Sequence, residues 1–208
     1  MEKEQYWSKF AEDFEERNNY VVGSSDMSII FQKIEQLQNL KNTLELGCGN
    51  GTYSKILIKN ATNLIATDFS DEMVVVAKNR LKTYENIKVE KANCFKLPYS
   101  DHSFDTIFMA NLLHIIPEPE NAIAECKRVL KENGQLIVIS FTSEGMTTLN
   151  KILMIYRYLK TYGKPSPFAQ SLTVNGTREM LHKHGFEIEE SSLLGNKMKA
   201  IFVKSNSQ

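Results

Sequence analysis

The chain has 208 residues, 42% of them hydrophobic and 24% charged, which suits one globular domain with a sizeable core. Twenty-five basic residues balance 25 acidic ones, so no global charge points to a polyanionic partner or an acidic membrane surface. No apolar run approaches the ~20 residues that span a bilayer, and MEKEQYWSKF lacks the apolar centre of a signal peptide, so the expected location is cytoplasmic.

Helical and extended patterns alternate along the chain. Tyr6, Trp7, Phe10, Ala11 and Phe14 recur at helical spacing, and Asp26 is a candidate cap for a second helix carrying Ile29, Ile30, Ile34 and Leu37. TLELG reads as a buried strand ending at glycines, followed by a helix through Tyr53, Ile56 and Leu57. NLIATDF makes a second strand, after which Ser70 caps the helix DEMVVVAKNRLKTY. IKVEKAN, DTIFMAN and QLIVISF supply three more strands, the last two separated by a helix from about Glu118 to Lys131, entered through Pro117 and Pro119 and ended by Gly134. A further apolar helix lies around TTLNKILMIYRYLK, then the loop GKPSPFAQS, then the helix VNGTREMLHKH, which stops at Gly185. FEIEESSLL, a Gly195-Asn196 turn and KMKAIFVKS close the chain as an antiparallel hairpin.

Five strands separated by helices, then a hairpin, predict an α/β fold: a doubly wound, mostly parallel seven-stranded sheet with helices on both faces. Ligands of such sheets sit at the carboxyl ends of the strands where the order reverses, which places Gly47, Asp68, Asn93 and Asn111 along one rim. Cys48, Cys94 and Cys126 are widely spaced without a CxxC pair, and His102, His114, His182 and His184 form no ligand set, so neither disulfides nor a metal are expected.

A glycine loop between strand and helix lets a ligand approach the backbone. Here the order Gly47-Cys48-Gly49-Asn50-Gly51-Thr52 brings the third glycine one position earlier than the dinucleotide fingerprint does, and Glu45 precedes the loop. A carboxylate there repels pyrophosphate and attracts, directly or through water, a ligand bearing an ammonium and a sulfonium, as S-adenosylmethionine does. Asp68, 21 residues after Gly47, is spaced to accept both ribose hydroxyls, a role that a nicotinamide dinucleotide would share.

The chain resembles the class I S-adenosylmethionine-dependent methyltransferases. ELGCGNGTYS is similar to their first motif, TDFSDEMV to the second, ANCFKLPYSDHSFDTIFMANLLHII to the adenine-binding and post-strand-4 motifs, and RVLKENGQLIVISF to the fifth strand with its lead-in. The likeness spans roughly residues 40 to 141. It implies Glu45, Gly47, Cys48 and Gly49 near the methionyl part, Asp68 on the ribose, Phe69 or Met73 beside the adenine, Asn93, Cys94 and Phe95 at its amino edge, and Asn111 close by. Asn93, where many relatives have aspartate, keeps a carbonyl acceptor and resembles the quinone C-methylating branch; its alternative is a turn former. The family commonly folds an amino-terminal helix over the cofactor, which makes Tyr6 and Tyr20 candidate lid residues.

Asn111-Leu112-Leu113-His114 replaces the N/D-P-P-Y/F stretch of enzymes that methylate base amines, and with no basic tract this disfavours nucleic acid. The acceptor expected is a small, partly hydrophobic molecule, on the apolar residues Ile152, Leu153, Ile155, Tyr156 and Tyr158 of the segment expected to cap it. His114 is the candidate general base, its alternative being a packed histidine that orients a loop. The expected organisation is one domain over 1–208: a helical cap at 1–40, a cofactor core at 41–141, a substrate cap at 142–172, and a terminal helix and hairpin at 173–208. The alternatives are an RNA or protein methyltransferase, using the carboxyl-terminal excess of nine bases over four acids, and a non-catalytic cofactor-binding protein.

Overall fold

A computed structural model describes residues 5–208, with side chains from Trp7 onward. The amino-terminal aromatic stripe does not form one helix. A single turn, α1 (Gln5–Ser8), gives way to tight turns in which Phe10 N–H donates to Trp7 O and Ala11 N–H to Ser8 O. The chain restarts as α2 (Phe14–Val22) behind the Asp13–Arg17 ion pair. Gly23, at φ 93°, turns it into α3 (Ser24–Glu35).

Asp26 is not the cap of α3; it lies inside the first turn and its carboxylate points away from the helix. It accepts from the backbone N–H groups of Asn196, Lys197 and Met198 at 2.7, 3.2 and 2.9 Å, pinning the carboxyl-terminal hairpin turn.

The sheet comprises β1 (Lys41–Leu46), β2 (Ala61–Asp68), β3 (Ile87–Lys91), β4 (Phe104–Ala110), β5 (Leu130–Thr142), β6 (Phe186–Leu194) and β7 (Lys199–Ser207), in the spatial order β3-β2-β1-β4-β5-β7-β6. Pairing is parallel from β3 to β5, and β7 inserts antiparallel between β5 and β6. The seven-stranded, mostly parallel expectation therefore holds. Both faces are covered, so the strands read as continuous apolar runs: in β5, Leu136 and Val138 pack on one face while Ile137 and Ile139 pack on the other.

Three expected boundaries shift. The helix after β1, α4 (Ser54–Leu57), is one turn long. No helix joins β3 to β4; residues 92–103 cross as turns and loop. The next helices are α5 (Asp71–Leu81), capped by Ser70 through Met73 N–H as expected, and α6 (Pro119–Val129). α6 ends before Lys131 because Leu130 is already extended and pairs with Phe104, so Gly134 lies in an irregularity of β5 and does not end the helix. α7 (Thr148–Tyr162) and α8 (Val174–Lys183), capped by Thr147 and Thr173, complete the layers.

Candidate functional site

The order of strands reverses between β1 and β4, and the loops at their carboxyl ends open onto a cavity of about 630 Å³. That is within the range of about 300–1,000 Å³ usual for small-molecule sites. Its floor is the glycine loop. Gly47, Gly49 and Gly51 all have positive φ, 72°, 54° and 81°, which a residue with a Cβ resists. A Cβ on Gly51 would fall 2.8 Å from Leu81 Cδ1, so this early third glycine lets the loop press against α5. A Cβ on Gly49 would point at the Phe14 ring, 3.7 Å away, on the roof.

Asp68, at the end of β2, braces the loop: its carboxylate accepts from Gly49 N–H and from Ser70 N–H, each at 2.9 Å. Burial raises its pKa. It lines the cavity, as do Gly47, Cys48, Gly49, Phe69, Met73, Asn93, Cys94, Phe95, Asn111 and His114.

Glu45 does not. It shares a row with Ala66 and Phe108, faces α4 beneath the loop, and is only 1% exposed. One oxygen accepts from Ser54 Oγ at 2.5 Å and the other, Oε1, has no partner. Burial, with Asp68 nearby, pushes its pKa up to about 7 against the Ser54 bond that lowers it. The expectation that Glu45 meets the ligand directly or through water is corrected in its direct form: the side chain is under the floor and titrates near neutrality, while its field reaches Cys48 and Tyr53, whose pKa values it raises after burial has done most of the work. Two carboxylates line the cavity, Asp68 at the end of β2 and Glu15 of α2, and Glu15 is paired with Arg80.

Two asparagines are partly committed to the scaffold. Asn93 Oδ1 accepts from Phe95 N–H at 3.0 Å, so Asn93 does form a turn as well as lining the cavity. Asn111, at φ 57°, accepts from Phe141 N–H at 2.9 Å and donates to Tyr53 Oη at 3.2 Å, locking the end of β4 to β5. The Cys94 thiol is pushed up to about 12 by burial and is not a thiolate at neutral pH. His114 Nδ1 lies 2.7 Å from Ser140 Oγ, which leaves Nε2 as the nitrogen available to a ligand. Burial lowers its pKa to about 4, so the imidazole is neutral. Among the described residues, no three His, Cys, Asp or Glu side chains converge as a metal site would require.

The roof comes from residues whose spacing suggested only core. Tyr162 of α7 packs edge-on against Trp7 at 5.6 Å and Phe10 at 5.1 Å, and Trp7 meets Phe14 at 6.0 Å. Tyr162 Oη donates to Asn18 Oδ1 at 2.9 Å and Arg17 Nη1 to Thr161 O at 2.9 Å, fastening α2 to α7. Ser8 Oγ lies 2.8 Å from Ser70 Oγ, and Arg80 pairs with Glu15, fastening the same roof to α5. Trp7, Phe14, Asn18, Tyr158 and Tyr162 line the cavity, with Phe168 from the following loop. Both segments are expected caps, but for these particular residues the sequence offers only aromatic side chains at helical spacing some 150 residues apart. Of the expected lid residues, Tyr20 instead sits on the outer side of the α2–α7 contact, 45% exposed under Arg157 and Lys160, and the Tyr6 side chain lies outside the described residues.

A seven-stranded sheet of this order with a glycine-floored cavity at its switch point is the fold shared by solved S-adenosylmethionine-dependent methyltransferases. Residues 44–138 match the family model described as a methyltransferase domain. Over 113 residues the chain is 32% identical to the demethylmenaquinone methyltransferase of Clavibacter sepedonicus, covering 54% of this chain and 46% of that protein. It is 32% identical over 135 residues to the ubiquinone/menaquinone biosynthesis C-methyltransferase of Rickettsia prowazekii, covering 60% and 54%. The chain thus spans about half the length of these relatives. Among solved structures, a Thermotoga maritima S-adenosylmethionine-dependent methyltransferase, described as a possible histamine N-methyltransferase, superposes with a TM-score of 0.76 at 22% identity, covering 99% of this chain and 100% of that one.

Proposed function

We propose that the chain transfers the methyl group of S-adenosylmethionine to a small, partly hydrophobic acceptor bound in the same cavity. The observation that carries this reading is convergence: every motif residue expected to meet the cofactor, Glu45 excepted, lines one cavity of about 630 Å³ under an aromatic roof. The residues present also fit the cofactor chemically. Two positive-φ glycines leave bare backbone on the floor, Asp68 offers a carboxylate, and the unpartnered Oε1 of Glu45 lies beneath. On this reading Gly47, Cys48 and Gly49 receive the methionyl part, and Asp68 takes the ribose hydroxyls. Phe69 and Met73 flank the adenine, whose edge meets Asn93, Cys94 and Phe95, with Asn111 holding the rim. The organisation proposed is a single domain in which residues 1–40 and 142–172 cap a 41–141 core, acting in the cytoplasm without a metal.

Bound S-adenosylmethionine would supply a methyl group already activated on a sulfonium. The residues' work is then to align the acceptor and exclude water, which the roof of Trp7, Phe14, Tyr158 and Tyr162 does. His114 is proposed to touch the acceptor through Nε2. With its pKa near 4 it holds a hydrogen bond from the acceptor better than it removes a proton, because base catalysis is most efficient when the pKa lies near the working pH. The relatives named for demethylmenaquinone and ubiquinone/menaquinone chemistry support a ring-bearing, lipophilic acceptor.

Calorimetric titration with S-adenosylmethionine and its demethylated product tests the reading. Binding is expected for both, and Asp68→Ala should weaken it at least ~10- to 100-fold, the ~1.5–3 kcal/mol of a single charge-assisted hydrogen bond. Heat with NAD and none with S-adenosylmethionine would replace the reading with a dehydrogenase.

A further inference from the structure

The roof helix presents a second apolar face to the outside. Leu149, Ile152, Ile155, Tyr156 and Leu159 of α7 are 74, 60, 53, 59 and 48% exposed. At about 100° per residue they occupy about a third of the helix circumference. Tyr158 and Tyr162, which line the cavity, lie off this stripe toward the body of the protein. Lys151 borders the stripe on one side, Arg157 and Lys160 on the other, and α7 contains no acidic residue. Arg157 and Lys160 also lie over the exposed Tyr20 ring, at 5.8 and 5.7 Å, which extends the patch onto α2. Beside Lys160, Asp13 is already paired with Arg17 at 2.6 Å, and Glu16 shares a shallow depression with Tyr20 and Lys160.

Two features say what covers this face. Its extent is a single helix stripe, whereas a stable protein interface takes about 800 Å² and 20–30 residues a side and is depleted in lysine at its centre. The charge of α7 itself is one-signed: an apolar stripe bordered by Lys and Arg, with no acid on the helix, is the composition of a helix that lies in a lipid headgroup layer, and Glu16 of α2 is the acid beside Lys160. We propose that α7 docks the protein on an anionic lipid surface, with Leu149, Ile152, Ile155, Tyr156 and Leu159 entering the acyl boundary and Lys151, Arg157 and Lys160 among the headgroups. The zero net charge of the whole chain does not oppose this, since attraction to a surface decays within a Debye length of about 8–10 Å and is set by local charge. Docked in this way, the same helix faces bilayer on one side and cavity on the other. The substrate class that follows, which rests on the methyl-transfer reading, is an amphiphile dissolved in the bilayer.

Sedimentation with phosphatidylcholine vesicles, with and without phosphatidylglycerol, tests the docking in the absence of cofactor and acceptor. Wild-type protein is expected to partition at least about tenfold more strongly onto the anionic vesicles and to be released as salt is raised. The double variant I152E/L159E should lose at least about tenfold in partitioning with unchanged thermal unfolding, and K151A/K160A should lose the anionic preference. No sedimentation with either vesicle overturns the proposal, as does equal binding to both. Self-association of the wild type that I152E/L159E abolishes, without vesicle binding, would assign the face to a second copy of the chain and equally overturn it. Because the readout uses neither cofactor nor acceptor, failure of docking leaves methyl transfer standing, and failure of methyl transfer leaves docking standing.

Discussion

Replacing Glu45 with glutamine should change how stability depends on pH far more than it changes the fold. In the folded protein burial holds this carboxyl near 7, against an ordinary value of 4.5. Between those limits the unfolded chain has released a proton that the folded protein keeps, so stability falls as pH rises, by about 1.4 kcal/mol per unit and about 3 kcal/mol in all. Below pH 4.5 both states are protonated and above about 7 both are ionised, so the loss is confined to that window. His114 works in the opposite sense. Its folded pKa near 4 lies below the ordinary 6.5, so stability falls as pH drops through that interval, and the two slopes nearly cancel in the wild type between about 4.5 and 6.5. E45Q removes one slope and exposes the other. The stability difference, variant minus wild type, should therefore grow by about 3 kcal/mol between pH 4.5 and about 7.5, or ~6–12 °C in melting temperature for a chain of this size. Urea unfolding across that range measures it, and a difference that stays constant with pH would refute a buried, neutral-range carboxyl under the glycine loop.

Gly49→Val places a branched side chain at φ 54°, at a cost of ~1–2 kcal/mol, and directs it at Phe14 across the cavity; calorimetry should lose the S-adenosylmethionine heat while the protein stays folded. His114→Ala should lower turnover without altering cofactor affinity, and the wild-type to variant rate ratio should stay flat from about pH 5.5 to about pH 8, since burial keeps the imidazole neutral throughout; a ratio that falls below about pH 6.5 would mean an ordinary histidine. Asp26→Ala should cost ~2–4 kcal/mol in denaturant unfolding by releasing three backbone N–H groups of the hairpin turn, with cofactor affinity unchanged, and a variant as stable as wild type would refute that role.

What could be read from sequence is what a short segment dictates by itself. Gly47, Gly49 and Gly51 announce positive φ because other residues resist it, and LIVI in β5 announces a strand covered on both faces. Ser70 announces a helix start because its hydroxyl reaches only three residues on. Asp26 has the same chemistry as a cap, but its acceptor oxygens find better-placed donors 170 residues away, which no local pattern encodes. Glu45 stands where the motif places it but at a different depth, since the two-residue alternation of β1 sends it below the loop whose ligand the motif implies it meets. That residues 1–40 and 142–172 cap the core is expected from the resemblance, but which side chains line the cap is not legible for the same reason as Asp26: Trp7, Phe14 and Tyr162 become one wall only once α2 lies on α7.

α7 shows where periodicity itself gives out. In α6 the apolar positions Ala122, Ile123, Cys126 and Val129 are all buried, with Glu120, Glu125, Lys127 and Arg128 on the other side, so its pattern and its burial agree. α7 is apolar over most of its circumference, broken by Asn150, Arg157 and Thr161 on one side, and this breadth exceeds what α2 covers. Which of its apolar residues face the cavity and which face outward is decided by packing partners far off in the chain, and Tyr156 and Tyr158 are indistinguishable by type. The charges do carry that information. A core helix has no use for Lys151, Arg157 and Lys160 along the two borders of Leu149, Ile152, Ile155 and Leu159, whereas a helix resting on an acidic layer does, and the absence of any acid from its fifteen residues is what separates it from an ordinary solvated face.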